Sequence, residues 1–307
     1  MTASLGTIER EVEVRPLAAA LGAEVSGVDL SRPAPELVEW IRAKLVEHMV
    51  LVFPDQHLSV DQHVDLARRF GPLEAHPNLS NPMLEHAELF ELAASAGGIA
   101  DEWHTDLTFL PNPSIMSVLN MVRCPEVGGD TMWTNLCLAY EELSAPVRDL
   151  CDGLTALHDA QPHDRSDRMA IHPVVRVHPE TGRKALYVNQ HFTRRIVEMS
   201  HGESEALLSL LTTWVTQPRF TVRHRWTAGT IAMWDNRCTQ HFVLNDFDGE
   251  RIIQRATVTG DDPRGPGRRW EPWQPTRGGA MTRHDRQLRR LLRAAGEDGT
   301  PGSGAAR

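Results

Sequence analysis

Two residues with metal-binding side chains lie two positions apart in EWHTDLTFLPNP, which runs from Glu102 to Pro113. In a β-strand, residues i and i+2 point to the same face. The imidazole of His104 and the carboxylate of Asp106 would therefore be presented together, while Thr105 faces away. Such a pair supplies two of the three ligands in a 2-His-1-carboxylate iron(II) site, which keeps open coordination positions. The alternative is a hydrogen-bonded surface pair, so the interpretation depends on a third ligand.

A distant histidine would complete this site, and His241 is the best candidate. It follows the apolar run GTIAMWD and a turn that would return the chain to the same end of a sheet. Arg251 and Arg255 follow in RIIQRATV, four residues apart and therefore on one face of a strand. A guanidinium can bind a carboxylate through two parallel hydrogen bonds. Together these residues predict an iron site with a dicarboxylate co-substrate.

The composition limits the class of partner. The chain has 307 residues, 41% hydrophobic and 24% charged, with a formal net charge of −9, as expected for a soluble globular protein. Negative charge disfavours nucleic acid and anionic membranes, because both attract a basic surface. The four cysteines form no Cys-x-x-Cys pair, and neither a signal segment nor a run of eighteen apolar residues occurs. We therefore expect a cytoplasmic protein with a small-molecule substrate and no nucleic-acid or membrane partner.

Strand-like runs dominate the periodicity of the chain. They cover about residues 11–31, 50–53, 114–122, 130–135, 172–178, 184–189, 219–226, 229–235 and 251–260. Helices are predicted over residues 35–49, 59–70 and 203–218. Short strands with few helices between them favour an antiparallel sandwich or barrel over a doubly wound α/β sheet.

One catalytic domain is expected over residues 1–262, with aperiodic lid loops at about 76–102 and 158–172. The composition then shifts to Arg, Gly and Pro in a C-terminal extension, residues 263–307. A helix over 283–295 followed by a disordered tail is predicted there. The oligomeric state stays open between a monomer and a homo-oligomer, either a dimer or a tetramer.

Several motifs in order resemble the taurine dioxygenase (TauD/TfdA) family of Fe(II)- and 2-oxoglutarate-dependent dioxygenases. They are WHTDLTF, GGDTMWTN (128–135), HPVVRVHPETGRKALYVN (172–189), WDNRCTQH (234–241) and RIIQRATVTGD, and the likeness extends from about Val12 to Asp261. The resemblance implies a mainly β protein with flanking helices, a double-stranded β-helix or cupin-like jelly roll, with iron between its two sheets. It also implies an oxidoreductase that consumes 2-oxoglutarate and O₂ and releases succinate and CO₂.

The resemblance carries the family's site onto numbered residues. The iron ligands are matched by His104, Asp106 and His241. Thr131 and Arg251 match the groups that hold the distal carboxylate of 2-oxoglutarate, and Arg255 matches a second arginine near both co-substrate and substrate. Because the loop after the second histidine is one residue shorter than the family pattern, the sequence leaves open which arginine takes the co-substrate.

Four positions bear on the substrate. His76, in EAHPN, matches a family position that contacts the substrate, with a turn-capping loop histidine as the alternative. Leu79 stands where the taurine enzyme has a tyrosine, and Ala100 where an asparagine is expected. Leu107, directly after WHTD, should line the pocket, although a core leucine fits as well. The lost polar groups predict a larger and less polar substrate than taurine, one that keeps a carboxylate, lactone or sulfate.

Several functions fit these expectations. Only Lys44 and Lys184 are lysines among the 32 basic residues, a bias typical of high-GC genomes, which favours hydroxylation, desaturation or epoxidation in natural-product biosynthesis. Within the family, the dioxygenases of pentalenolactone biosynthesis, which oxidise a terpenoid lactone antibiotic precursor, are the specific comparison. Catabolism of a sulfonate, alkyl sulfate or aryloxyalkanoate is the alternative. Outside the family, a zinc hydrolase would use the same three ligands, and a non-catalytic jelly-roll binding protein would keep only the strands.

Overall fold

A computed structural model describes residues 12–75, 86–96, 100–274 and 282–294, without the side chains of His284 and Ala294. Within these ranges the strands are β1 (Glu13–Pro16), β2 (Ala23–Ser26), β3 (Val50–Phe53), β4 (Leu73–Glu74), β5 (Leu89–Ala93), β6 (Met116–Arg123), β7 (Thr131–Asn135), β8 (Thr155–Ala160), β9 (Arg165–Pro173), β10 (Val175–Val177), β11 (Lys184–Leu186), β12 (Thr193–Ile196), β13 (Thr221–His224), β14 (Ile231–Asp235), β15 (Thr239–Val243) and β16 (Ile252–Val258). The helices are α1 (Pro35–His48), α2 (Val60–Arg68), α3 (Leu136–Glu141), α4 (Ala145–Cys151), α5 (His201–Trp214) and α6 (Arg283–Ala294).

In the described residues the strands form one large sheet and three small ones. The large sheet has the order β1-β2-β3-β14-β6-β16-β4, and β5 pairs with β16 off this path. A second sheet has the order β13-β7-β15, and the two others are β12-β8-β9 and β10-β11. Of the strand pairings described, β2 with β3 is parallel and the rest are antiparallel. This arrangement is the expected mainly β jelly roll with flanking helices.

The main core lies between the large sheet and the β13-β7-β15 sheet. Val50 and Val52 of β3 belong to it, together with Trp133 of β7. Leu51 and Phe53 point to the opposite face and pack with α1 and α2 in a second core. Side chains alternate along a strand, so VLVF is apolar throughout because both of its faces are buried.

The predicted lid over 158–172 is not a loop. Residues in this stretch form the end of β8, a 3-10 turn at Gln161–His163, and β9, which pairs antiparallel with β8. Because β8 is almost wholly buried, its backbone groups need partners on both sides, and β9 and β12 supply them. The other predicted lid, 76–102, lies partly outside the described residues, and its part Leu89–Ala93 is strand β5.

The helix predicted over 283–295 is observed as α6. Leu288 and Leu292 pack from this helix onto Leu157 of β8 and onto Val197. The C-terminal helix thus covers the outer side of the hairpin formed by β8 and β9. In the described part of the chain, no helix is long and apolar enough to cross a membrane.

Candidate active site

Strand β15 brings the two ligand histidines, His104 and His241, side by side. His104 forms an isolated antiparallel bridge with His241: the amide of His104 donates to the carbonyl of His241 at 3.1 Å, and the reverse bond is 2.9 Å. Thr105 faces away, as predicted, and its hydroxyl donates to the carbonyl of Thr239 at 2.8 Å. Directly after Asp106 the chain turns, with Leu107 in the left-handed conformation at φ 57°. The extended stretch therefore ends at Asp106, the carboxylate of the predicted metal site.

The three predicted metal ligands converge. Asp106 Oδ1 lies 3.8 Å from His104 Nε2 and 3.9 Å from His241 Nε2. The three side chains are 2%, 9% and 5% exposed in that order. His104 Nδ1 donates to the carbonyl of Glu102 at 2.7 Å, which leaves Nε2 as the ligand atom. Two imidazole nitrogens and one carboxylate oxygen within reach of one ion fit iron(II).

The electrostatics keep these groups in their metal-binding forms. Burial, and then the neighbouring His241, lowers the pKa of His104 well below its usual value. Burial also lowers the pKa of His241 to about 4. Burial alone would raise the pKa of Asp106, but Arg255 and the two imidazoles outweigh it, so the pKa of Asp106 is lowered. At neutral pH the site therefore offers two neutral rings and one anion.

Asp106 is held at both oxygens. Arg255 Nη1 donates to Oδ1 at 2.7 Å, and Ser117 of β6 donates to Oδ2 at 2.8 Å. Asn236 Nδ2 donates to the Ser117 hydroxyl at 3.0 Å, and Trp234 Nε1 donates to Asn236 Oδ1 at 3.0 Å. Ser117 was not among the predicted site residues, although a polar residue inside the apolar strand SIMSVLNMV indicates a buried hydrogen-bonding role. This chain of hydrogen bonds fixes the direction of the carboxylate.

Arg251 lies in a separate polar niche with Thr131. Its Nε donates to the carbonyl of Gly129 at 3.0 Å, and its Nη2 lies 3.5 Å from Thr131 Oγ1. Trp226 Nε1 donates to the same hydroxyl at 2.9 Å. Arg251 is only 4% exposed, and burial lowers its pKa to about 10. No carboxylate in the described part of the chain forms an ion pair with it, so this buried cation lacks a counter-ion.

Aromatic and imidazole rings border the metal ligands on one side. His191 lies 5.5 Å from His104 between ring centroids, and Phe192 lies 6.3 Å from the same ring. His163 lies 5.9 Å from His191 and 5.7 Å from Phe109. His163, His191 and Phe192 were not predicted from the sequence, because no local pattern marks a side chain brought in by a distant turn. The predicted pocket residue Leu107 is buried with Phe109 and Phe192.

Two predicted substrate residues, His76 and Leu79, lie outside the described residues, so their placement stays a prediction. Ala100 is described and precedes the motif; its carbonyl accepts the amide of Val243 at 3.0 Å. This bond extends the edge pairing that His104 makes with β15 toward the N-terminal side of the motif.

A second cluster of potential metal ligands contains His178, Asp235 and Cys238. Its donor atoms are already used within the protein. Arg237 donates to both Asp235 oxygens, at 2.9 and 2.6 Å, and His178 Nε2 donates to Oδ2 at 3.0 Å. The carboxylate is neutralised by a guanidinium, so this cluster is a structural ion pair rather than a metal site.

Comparisons with known proteins agree with this geometry. Residues 13–257 match the family described as taurine catabolism dioxygenase TauD, TfdA family. The chain is 38% identical over 282 residues to an alpha-ketoglutarate-dependent sulfate ester dioxygenase of Pseudomonas putida, covering 83% of this chain and 92% of the relative. It is 35% identical over 285 residues to an alkylsulfatase of Acinetobacter baylyi, covering 85% and 89%.

A solved structure is similar over nearly the same range. It is the crystal structure of a putative alpha-ketoglutarate-dependent taurine dioxygenase from Burkholderia xenovorans, at 41% identity and a TM-score of 0.77, covering 86% of this chain and 99% of that one. The family match includes the large sheet, the β13-β7-β15 sheet and all three converging ligands. The chain therefore belongs to the TauD/TfdA family and is a non-haem oxidoreductase that uses Fe(II), 2-oxoglutarate and O₂.

Proposed function

We propose that the chain oxidises an amphiphilic organic anion, with an alkyl sulfate as the first substrate class. The observation that carries this proposal is that the guanidinium of Arg255, the imidazole of His191 and the phenyl ring of Phe192 all lie beside the metal ligands. Cationic groups bind an anionic head group, and phenyl rings contact an alkyl chain. The two curated relatives are described as a sulfate ester dioxygenase and an alkylsulfatase, which supports the sulfate class.

In this proposal the protein's own residues divide into three roles. His104, Asp106 and His241 hold Fe(II) through the atoms that converge on one point. Arg251 and Thr131 bind the distal carboxylate of 2-oxoglutarate, because Arg251 is a buried cation that has no carboxylate partner among the described residues. Arg255 has the third role, which is to hold the Asp106 carboxylate.

Arg255 is the less suitable arginine for the co-substrate. Its guanidinium is already bonded to Asp106 at 2.7 Å, so part of its charge is used. Arg251 directly precedes β16 and Arg255 lies inside it, so the backbone between them spans at most about 13 Å. A co-substrate that chelates the metal with one end can therefore extend toward Arg251 with the other. We therefore assign the distal carboxylate of 2-oxoglutarate to Arg251, and Arg255 to Asp106 and the substrate.

When bound, Fe(II), 2-oxoglutarate and O₂ supply an oxidation in which 2-oxoglutarate becomes succinate and CO₂, and one oxygen atom enters a substrate C–H bond. For R–CH₂–OSO₃⁻, hydroxylation of the carbon beside the ester oxygen gives R–CH(OH)–OSO₃⁻. Breaking its C–O bond releases R–CHO and HSO₄⁻, so atoms and charge balance. The protein selects this carbon by holding the head group and the chain.

Natural-product tailoring is the second candidate, supported by the apolar wall of Leu107, Phe109 and Phe192. Such a wall accepts a terpenoid skeleton as well as an alkyl chain. On this interpretation the substrate is a lactone or acid of the pentalenolactone type. Hydroxylation or desaturation follows where a C–H bond lies at the metal, and epoxidation follows where a C=C bond lies there. A sulfonate or an aryloxyalkanoate remains a further substrate in the anionic class.

One panel experiment tests these candidates. Purified protein with Fe(II), 2-oxoglutarate and O₂ is incubated with n-alkyl sulfates of increasing length, alkanesulfonates, phenoxypropionate, and terpenoid acids and lactones, and succinate is measured. We expect alkyl sulfates to raise succinate production most, with stoichiometric aldehyde and sulfate. Succinate coupled only to a terpenoid lactone would replace the sulfate assignment by the tailoring role.

We also propose that residues 1–262 are one catalytic domain of a cytoplasmic enzyme with no nucleic-acid or membrane partner, whether monomer, dimer or tetramer. The net charge of −9 supports the absence of polyanionic partners. Light scattering of the purified chain measures the oligomeric state, and binding of duplex DNA at low salt would contradict the partner assignment.

A further inference from the structure

Asn236 lies on the turn between β14 and β15, the strand that carries His241. Its side chain is fully buried and forms hydrogen bonds at both ends of the amide. We propose that Asn236 is a positioning residue that holds two metal ligands at once. Its amide nitrogen acts on Asp106 through Ser117. Its amide oxygen acts on His241 through Trp234. This inference rests on the metal ligands assigned in the proposed function.

The chemistry of its partners fixes the direction of each hydrogen bond at Asn236. The indole Nε1 of Trp234 can only donate, so Asn236 Oδ1 is the acceptor of this bond at 3.0 Å. The amide nitrogen must then face the hydroxyls of Ser114 and Ser117, to which it donates at 2.9 and 3.0 Å. Because each hydroxyl accepts from the amide, each can donate its own proton to a further group.

The two serine hydroxyls donate to different groups. Ser117 donates to Asp106 Oδ2 at 2.8 Å, and a carboxylate can only accept. Ser114 donates to the backbone carbonyl of Met116 at 3.2 Å, which is not a metal ligand. Of these two branches, the one through Ser117 therefore ends at the metal site. Without the amide of Asn236, the Ser117 hydroxyl would lose the donor that turns its proton toward Asp106.

The ring of the other ligand, His241, is oriented by packing. Its Nδ1 is buried and has no hydrogen-bond partner in the described part of the chain, whereas Nδ1 of His104 donates to a backbone carbonyl at 2.7 Å. The imidazole of His241 lies against the indole of Trp234, with ring centroids 4.8 Å apart and planes inclined by 53°. The bond from Trp234 Nε1 to Asn236 fixes the rotation of this indole. Asn236 thus controls the surface against which His241 packs.

The test uses two matched pairs of truncations. Ser117→Ala is compared with Ser114→Ala, because each removes one hydroxyl bonded to the same amide. Asn236→Ala is compared with Asn120→Ala, which removes a buried amide that is bonded to a backbone carbonyl on the face of β6 opposite to Ser117. For each variant, Fe(II) is titrated into the apoprotein with 2-oxoglutarate present and followed by visible absorption. Thermal unfolding of each apoprotein is measured in parallel.

We expect the dissociation constant of Fe(II) to rise about 10-fold in Ser117→Ala, because partners of metal ligands contribute on this scale. In Asn236→Ala it should rise further, up to about 100-fold, and the excess measures the branch to His241. Ser114→Ala and Asn120→Ala should also lower the temperature of unfolding but keep the wild-type Fe(II) affinity. A general loss of packing would instead weaken Fe(II) binding equally within each pair.

Two results would overturn the branch to Asp106: wild-type Fe(II) affinity in Ser117→Ala, or an equal loss in Ser114→Ala. A loss in Asn236→Ala no greater than in Ser117→Ala, or no greater than in Asn120→Ala, would overturn the branch to His241. If Asn236→Ala does not fold, Trp234→Phe combined with Ser117→Ala replaces it, because phenylalanine keeps a ring beside His241 but cannot donate to the amide. This double variant should lose more Fe(II) affinity than Ser117→Ala alone, and an equal loss counts against the branch to His241.

Failure of the proposed function gives a different result. If the wild type shows no Fe(II)-dependent absorption, the metal assignment is wrong and the role of Asn236 is overturned with it. If the wild type binds Fe(II) and oxidises none of the proposed substrates, the substrate class is wrong. The comparison of the four variants still decides the role of Asn236 in that case, because Fe(II) binding is measured without substrate.

Discussion

Arg255 and Asp106 form a buried ion pair in which the guanidinium donates to the carboxylate oxygen that faces both metal-ligand imidazoles. The distance from Nη1 to Oδ1 is 2.7 Å, and the other oxygen is held by Ser117. The positive charge of Arg255 favours the ionised form of Asp106. It also partly offsets the negative charge that this carboxylate presents to a metal. The pair therefore sets the position of the ligand oxygen as well as its charge.

We expect Arg255→Gln to weaken Fe(II) binding about 10- to 100-fold, because partners of a ligating carboxylate contribute on this scale. The measurement is a titration of Fe(II) into the apoprotein with 2-oxoglutarate present, followed by visible absorption. His201→Gln, at the exposed start of α5, serves as the control and should leave Fe(II) affinity close to that of the wild type. Unchanged Fe(II) affinity in Arg255→Gln would show that Asp106 is positioned without its arginine.

Arg251→Gln should raise the KM for 2-oxoglutarate about 30-fold or more, since truncating one partner of a buried charged pair costs about 2–5 kcal/mol. Steady-state succinate production at varied 2-oxoglutarate measures this effect. Thermal unfolding of the apoprotein should show no loss of stability, because the wild-type cation has no ion-pair partner among the described residues. A larger KM increase in Arg255→Gln would reverse the assignment of the two arginines.

The sequence predicted those parts of the site that local periodicity controls. Alternation in WHTD placed His104 and Asp106 on one face, and a turn after an apolar strand indicated His241. The strand pattern also predicted the sandwich, because an alternating or wholly apolar run has few other stable arrangements. The family motifs added Thr131 and ordered the ligands.

The remaining residues around the site could not be predicted, because they lie on elements that are distant in sequence from the metal ligands. His191 is bonded to Glu102 across 89 positions, and His163 arrives at the tip of the hairpin between β8 and β9. That hairpin itself was expected to be a loop, since its polar residues hide the fact that β8 is buried between two partners. Such contacts follow from the packing of strands, which a local pattern does not encode.

The buried histidine His63 should make the folding free energy depend on pH. Its Nε2–H donates to the carbonyl of Val118 at 2.9 Å, and burial lowers its pKa to about 4. Below pH 6.5 the unfolded chain takes up a proton that the folded chain refuses until about pH 4. Stability therefore falls as pH decreases through this window, by at most ~1.4 kcal/mol per pH unit for this residue.

Urea unfolding of the wild type and of His63→Gln between pH 7.5 and 4.5 measures this dependence. Glutamine keeps a donor for the Val118 carbonyl but does not titrate, so the variant should be less stable at pH 7.5 and lose less stability on acidification. His201→Gln, at an exposed position, should keep the wild-type slope. Parallel curves for wild type and His63→Gln would mean that His63 is not the group that titrates.

Asp285 of α6 should connect the C-terminal helix to the active-site hairpin. Its carboxylate pairs with Arg195 of β12, a guanidinium that is almost fully buried, and β12 is the neighbour of β8. Removing one partner of a buried pair costs about 3–5 kcal/mol, so Asp285→Ala should release α6 or lower the stability of the whole chain. Because α6 covers the hairpin that carries His163, release would increase amide exchange in β8 and β9 and raise the KM of the organic substrate more than that of 2-oxoglutarate.

Hydrogen exchange with mass spectrometry and steady-state kinetics measure the two effects, and Arg290→Ala on the exposed side of the helix is the control. Wild-type exchange in the hairpin of Asp285→Ala would show that α6 does not support the site.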